Sequence, residues 1–291
     1  MLQPILHERG RGTLEVKVLR ERKGGNEVYT EEKRVLEWFL QMSVSTSEDV
    51  FAAFRELPGA IEKHDDGNRG FLYVPGKRED RCVLAAHADT YFDVNYVGAK
   101  KSDGSFMSKI RSFFRGAEPD NKVVYENGEY RSGNDDCGIG ADDRAGCAML
   151  WLLRNSGHSL LILDGEEHGQ KGAHYLRESS PELFDEINDH SYIIQLDRRG
   201  SRDYKFYYLP VTGEFEKYVV DSTGYECAGT NSRTDICVLC EKICGVNLSV
   251  GYYNEHHQNE ILRYDEWLNT YQIVKRMVEK PLKQYFLADF L

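Results

Sequence analysis

Apolar residues recur along this chain in two rhythms. Spacings of three and four over Glu31–Gln41, Ser47–Leu57, Arg144–Arg154, Lys171–Glu178 and Tyr264–Val278 predict helices with one buried face. Thr30 and two first-turn acids open the first of these, and a Ser45-x-x-Glu48 capping box opens the second. Short, nearly continuous apolar runs predict strands covered on both faces: Phe71–Val74, Arg81–Ala86, Ser159–Leu163, Tyr192–Leu196 and Val246–Tyr252. Thr13–Leu19 alternates enough to be a further strand, broken by the polar stretch Arg20–Asn26. Thr234–Cys244 reads as a helix whose Cys237, Cys240 and Cys244 share one face near Ile236 and Ile243. Those spacings are also ligand-like, but a core stripe is the simpler reading. Strand and helix alternate from Ser159 onward, which implies an α/β fold: a mixed, largely parallel central sheet with helices on both faces. No repeat, low-complexity segment or Pro/Gly/Ser linker divides the chain, so a single catalytic domain over residues 1–291 is expected.

The chemistry gathers where the predicted strands end. His87-Ala88-Asp89 follows one apolar run, Gly165-Glu166-Glu167-His168-Gly169 a second, Asp197-Arg198-Arg199 a third, and Asn254-Glu255-His256-His257 through Glu260 a fourth. The fifth motif, Gly140-Ala-Asp142-Asp143-Arg-Ala-Gly146, opens a predicted helix. Ends of neighbouring strands collect along one rim of a sheet. Each motif has a plain reading by itself: a hydrogen-bonded histidine, a solvated acidic pair, or, for Asp142-Asp143, an N-cap with a first-turn acid. Together they supply what a two-metal hydrolase needs, namely a bridging carboxylate, terminal ligands for two divalent ions about 3.5–4 Å apart, and a base. Histidine and carboxylate donors without thiolates suit Zn2+, with Mn2+ or Co2+ tolerated.

As an ordered set running from about Val83 to Glu260, these motifs resemble those of the co-catalytic zinc exopeptidases. That superfamily includes bacterial leucyl aminopeptidases, tripeptide aminopeptidase, carboxypeptidase G and acetylornithine deacetylase. The resemblance implies that Asp142 bridges two metals through a cis peptide to Asp143, that His87 and Asp197 complete one site, and that Glu167 and His256 complete the other. It further implies that Asp89 hydrogen-bonds the far nitrogen of His87 and that Glu166 is the general base, carrying a proton from the attacking water to the leaving amine. His257 competes with His256 for the ligand role; His256 is preferred because Glu260 follows it at the family's spacing of four.

Composition narrows the substrates. A formal net charge of −11 disfavours nucleic acid and anionic membrane as partners. No long apolar run or leader-like start is visible, and seven cysteines in no framework spacing fit a reducing cytoplasm. A small peptide or N-acyl amino acid is the expected substrate.

The 59 residues from Asp197 to His256 are too few for the inserted dimerisation domain of the carboxypeptidase G-like branch, so the lid-less aminopeptidase branch fits better. The 53 from Asp89 to Asp142 exceed that branch's need; they look like a loop, a helical piece around Phe113-Phe114-Arg115 and a strand over Asn121–Glu126, and residues 91–133 are read either as an active-site flap or as a surface excursion. Arg198, Arg199 and Arg233, with His257, are candidates to bind a substrate carboxylate, and Glu214, Asp235 and Glu255 to bind an amino terminus. An aminopeptidase is favoured, with a deacylase or carboxypeptidase acting on N-acylated amino acids or small peptides as the alternative. A single-metal acyltransferase like glutaminyl cyclase and a non-catalytic binding module remain as readings from other classes.

Overall fold

Four consecutive apolar segments pair in parallel at the centre of the molecule and fix everything that lies around them. The structure, a computed structural model, describes residues 19–20, 29–65, 69–93 and 121–290. The strand expected over Thr13–Leu19 lies outside these residues except at Leu19, and so does the part of the expected flap between 94 and 120.

Among the described residues the central sheet has eight strands. Its parallel core comprises β4 (Val83–His87), β7 (Ser159–Asp164), β8 (Ile193–Arg198) and β11 (Gly245–Ser249), ordered β11-β8-β4-β7. Every residue of β4, β7 and β11 is buried, so both faces are covered, as the unbroken apolar runs require. Antiparallel β3 (Gly70–Val74) and β2 (Ile61–His64) extend the β7 edge, and β9 (Asp203–Lys205) and β10 (Glu226–Cys227) extend the β11 edge. The expected mixed, largely parallel α/β sheet is present.

Helix α1 (Glu31–Gln41) is capped by the Thr30 hydroxyl, which accepts from the Lys33 amide. The second helix, α2 (Glu48–Arg55), does not use the expected capping box. The Thr46 hydroxyl accepts from the Glu48 amide, and the Glu48 carboxylate turns outward to Arg55. Helix α3 (Ala141–Leu153) lies against β4 and β8 and brings Asp142 to the sheet. Helices α4 (Lys171–Ser179), α5 (Pro181–Ile187) and α6 (Gly213–Thr223) follow. The helix expected over Thr234–Cys244 is only the short α7 (Ile236–Leu239). The Asn188 side chain stops it: its carbonyl oxygen accepts from the Glu241 and Lys242 amides and its NH2 donates to Leu239, taking the groups another helical turn would use. Cys240 and Cys244 are buried in the core, but not as one helix stripe.

A second sheet, of which the sequence anticipates the strand over Asn121–Glu126 but not the sheet itself, runs β1 (Leu19–Arg20), β5 (Val123–Glu126), β6 (Glu129–Ser132), β13 (Ile261–Arg263), β12 (Tyr252–Tyr253). The strand expected over Val246–Tyr252 is therefore divided: Gly251, at φ +94°, turns the chain from β11 into β12. Helix α8 (Tyr264–Val278) has the predicted bounds and ties this sheet to the core through Trp267, whose indole donates to the Ala145 carbonyl.

Candidate metal centre

Because β4, β7 and β8 are parallel, the groups at their carboxyl ends share one rim. His87 is the last residue of β4, Asp197 is next to last in β8, and β7 leads through Gly165 (φ +89°) into a 3-10 turn, Glu166–His168. Two further segments reach this rim. The loop after β12 holds Asn254 and His256 in the left-handed region, at φ +58° and +66°, which turns the His256 imidazole inward. The start of α3 is irregular: Asp142 and Asp143 are non-helical, with a cis peptide between them. The capping reading holds for Asp143, whose carboxylate accepts from the Gly146 and His87 amides, while Asp142 faces the cluster. Gly146 has to be glycine, since a Cβ there would lie 2.2 Å from the Leu196 carbonyl oxygen and 2.5 Å from the Asp143 carboxylate.

Asp142 stands between two groups of donors. Its Oδ1 is 3.0 Å from His87 Nε2, which is in turn 3.3 Å from Asp197 Oδ1. Its Oδ2 is 3.3 Å from His256 Nε2, which is 2.8 Å from Glu167 Oε1. Within each triplet the ligand atoms lie no more than 4.8 Å apart. Donors about 2.1 Å from one tetrahedral ion sit about 3.4 Å from each other, so these separations match two ligand shells that share one carboxylate. Glu167 Oε1 also tests the fit. It is buried and makes no well-aligned hydrogen bond although His256 Nε2 is 2.8 Å away, so the two atoms lie side by side, as two donors on one ion do. The donor set fits divalent metal.

Electrostatics point the same way. Burial pushes the Glu166 carboxyl well above its ordinary range, reinforced by Asp197, and burial with Asp142 pushes Glu167 up to about 7. Burial works against charge on His256, but the Asp142 and Glu167 carboxylates outweigh it and raise the imidazole to about 11. His87 is raised in the same way against burial, by Asp197 and Asp142. Carboxyls outnumber imidazoles in this buried space, and the crowding that drives both to hold protons is what added cations would relieve.

The structure separates the two glutamates. Glu167 belongs to a ligand triplet, while Glu166 belongs to neither and, among the described residues, its carboxylate has one hydrogen bond, from the Gln170 side-chain amide at 3.5 Å. Asp89 differs from expectation in detail. Its main-chain carbonyl takes the nearer contact to His87 Nδ1, at 3.0 Å against 3.4 Å for its carboxylate. The carboxylate instead accepts the Gly165, Glu166 and Glu167 amides, at 2.7, 3.2 and 3.3 Å, and so sets the turn that carries both glutamates.

Glu260 apart, which the motif already includes, the other holding groups are not marked by any motif in the sequence. Asp197 Oδ2 accepts from Thr234 (2.9 Å) and Gln195 (3.0 Å), its Oδ1 from Tyr252 (3.2 Å), and its amide donates to Asn247 (3.0 Å). Gln195 and Asn247 stand out in the sequence as polar residues inside apolar strand runs. Glu260 accepts the Gly140 and Asp142 amides at 2.7 and 3.0 Å, joining the His256 loop to the start of α3. Tyr91 stacks on the His256 ring at 4.8 Å and 14°.

Among the charged candidates, Arg198 is engaged by Asp203, whereas Arg233 and His257 are exposed. Arg199 pairs with Glu255 at 2.8 Å, and Glu214 pairs with Lys283. Asp235 is wholly buried, with Oδ1 unpartnered.

Solved structures share this arrangement of elements. The aminopeptidase PepT of Bacillus cereus aligns over 86% of this chain and 98% of its own with a TM-score of 0.54 at 15% identity. The TET1 peptidase of Pyrococcus horikoshii, which assembles into a tetrahedron or a large octahedral shell, aligns over 85% and 99% with a TM-score of 0.56 at 15% identity. An aminopeptidase of the archaeon Desulfurococcus kamchatkensis aligns over 86% and 96% with a TM-score of 0.56 at 13% identity. The chain has the fold of these peptidases. No protein-family profile matches the sequence, and no curated protein is similar to it in sequence.

Proposed function

We propose that this protein is a metal-dependent aminopeptidase that holds two divalent ions, zinc in the first instance. The observation that carries the reading is Asp142: its two oxygens face separate histidine–carboxylate pairs, as a bridging ligand requires. His87 and Asp197 would hold one ion, Glu167 and His256 the other. Bound there, the ions would polarise the scissile carbonyl and acidify water.

The remaining work falls to side chains of this chain. Glu166 takes the proton of the attacking water and delivers it to the leaving amine; its burial and the nearby Asp197 raise its proton affinity, the direction such a shuttle needs. Asp89 keeps Glu166 and Glu167 on diverging paths by fixing the backbone of their turn. Thr234, Gln195 and Tyr252 orient Asp197 through both of its oxygens. The fold shared with two aminopeptidases supports the choice of an amino-terminal substrate. Small peptides are the substrates this reading implies. We keep the chain as a single catalytic domain; of the expected flap over 91–133, residues 123–126 and 129–132 belong to the second sheet. Seven free thiols support a reducing compartment such as the cytoplasm.

Parallel assays of dipeptides with free and N-acetylated amino termini, with zinc supplied, test the proposal. Hydrolysis of the free forms only is expected. Cleavage confined to the acetylated forms would replace the aminopeptidase with a deacylase or carboxypeptidase.

A further inference from the structure

Arg144 is an ion in the core with no carboxylate bonded to it among the described residues. Its side chain is wholly buried, two residues beyond Asp142 at the start of α3. The charges of Asp93, Asp49 and Asp89 reach it only across longer distances. The guanidinium bonds main-chain oxygens instead. Nη1 donates to the Ala88 carbonyl, and Nη2 donates to the Ser43 and Thr46 carbonyls at 2.8 Å each. Taking a guanidinium out of water is costly, and neutral carbonyls offset that cost less well than a carboxylate does. An apolar side chain of similar volume would serve packing alone.

What Arg144 holds gives the ion its purpose. Ala88 lies between His87, which belongs to one ligand triplet, and Asp89, whose carboxylate fixes the turn that carries Glu166 and Glu167. Three neighbouring main-chain groups of this segment are gripped by three side chains from the first two turns of α3. The His87 amide donates to Asp143 Oδ2 at 3.2 Å, the His87 carbonyl accepts from Cys147 Sγ at 3.2 Å, and the Ala88 carbonyl accepts from Arg144. The other arm of the guanidinium reaches the turn between α1 and α2. This turn also receives the Thr90 hydroxyl, which donates to the Val44 carbonyl at 2.7 Å, and Val44 Cγ1 lies 2.7 Å from where a Cβ on Gly140 would stand. One planar group thus joins the end of β4, the start of α3 and the turn packed behind both.

We propose that Arg144 is a positioning residue that keeps the two ligand triplets in register before any ion binds. By tying Ala88 to the start of α3 it sets the separation of His87 from Asp142, and through Asp89 it sets the place of the glutamate turn. The inference rests on the two-metal reading and adds to it a residue that touches neither ion. A rigid guanidinium suits this task because its two arms keep a fixed angle between the groups they bond, whereas a lysine ammonium is a single point on a flexible stem.

The test measures zinc affinity by chelator competition in the wild type, Arg144→Lys and Arg144→Met, with urea unfolding of the metal-free proteins alongside. Arg144→Met should bind both ions about 10- to 100-fold more weakly, the usual loss when a group behind a ligand is removed. Arg144→Lys, which keeps the charge and loses the fork, should fall between that variant and the wild type. A purely structural role would lower the urea midpoint and leave zinc affinity alone. Wild-type zinc affinity in either folded variant, whatever its midpoint, would therefore overturn the proposal while leaving the metal centre intact. A wild-type protein that binds no zinc, manganese or cobalt would overturn both. Should neither variant fold, nitrogen NMR of the wild type decides the matter. Distinct, slowly exchanging Arg144 Nη signals in the metal-free protein, unchanged by zinc, support a lock that precedes the ions, and signals that are averaged until zinc is added refute it.

Discussion

Glu166→Gln should separate binding from chemistry. The Glu166 carboxylate lies outside both ligand triplets, and its one described side-chain contact is the Gln170 amide at 3.5 Å. Its backbone is fixed independently by Asp89. An isosteric amide therefore removes a proton carrier without removing a ligand. Losing a general base costs about 10²- to 10⁴-fold in turnover, or about 2.7–5.5 kcal/mol of barrier. Glu167→Gln, one residue along, should behave in the opposite way, since Glu167 Oε1 lies 2.8 Å from His256 Nε2 and would lose the charge that makes it a ligand. The assay pairs kcat on a free-amino-terminal peptide with elemental analysis of metal per chain after desalting. Near wild-type metal and kcat down at least a hundredfold are expected for Glu166→Gln. If that variant lost a metal while Glu167→Gln kept both, the roles of the pair would be reversed.

Three further outcomes follow from single contacts. His256→Ala should weaken one metal by about 10- to 100-fold or more in a chelator-competition titration, whereas His257→Ala should leave both affinities unchanged; the reverse pattern would place this loop one residue out of register. Tyr91→Ala, which removes the ring stacked on His256, should weaken that same ion while Tyr91→Phe does not, and identical affinities in the two variants would dismiss the stack as a positioning contact. His190 is buried and neutral: Nδ1 donates to the Glu186 carbonyl, Nε2 accepts from Arg81, and burial pulls it down to about 4 from an ordinary value near 6.5. Protonation thus favours the unfolded chain. This contribution is complete above about pH 6.5 and disappears as pH falls toward 4, at most about 3 kcal/mol, so urea unfolding of His190→Gln should show a shallower loss over that window than wild type, and equal slopes would contradict it.

The site was more legible in the sequence than its supports were. Acids and histidines at the ends of apolar runs are read locally, and β4, β7 and β8 place His87, the Glu166-Glu167 turn and Asp197 together because three parallel strands end on one rim. The groups that hold Asp197 come from Thr234, Asn247 and Tyr252, which are 37 to 55 residues away in sequence, and no local periodicity announces such contacts. The second sheet escaped notice for a similar reason: its strands are two to four residues long and depend on partners far along the chain, as Ile261–Arg263 does on Glu129–Arg131. The Thr234–Cys244 helix failed because a side chain from elsewhere, Asn188, outcompeted the helix for its amides.

The central claim is that Asp142 joins two ions in one site. Anomalous diffraction from crystals of the zinc-loaded protein measures this directly. The account predicts two peaks about 3.5–4 Å apart, one beside His87 and Asp197 and the other beside Glu167 and His256, with an Asp142 oxygen on each. A single peak at full zinc occupancy, or two peaks of which Asp142 touches only one, would contradict it.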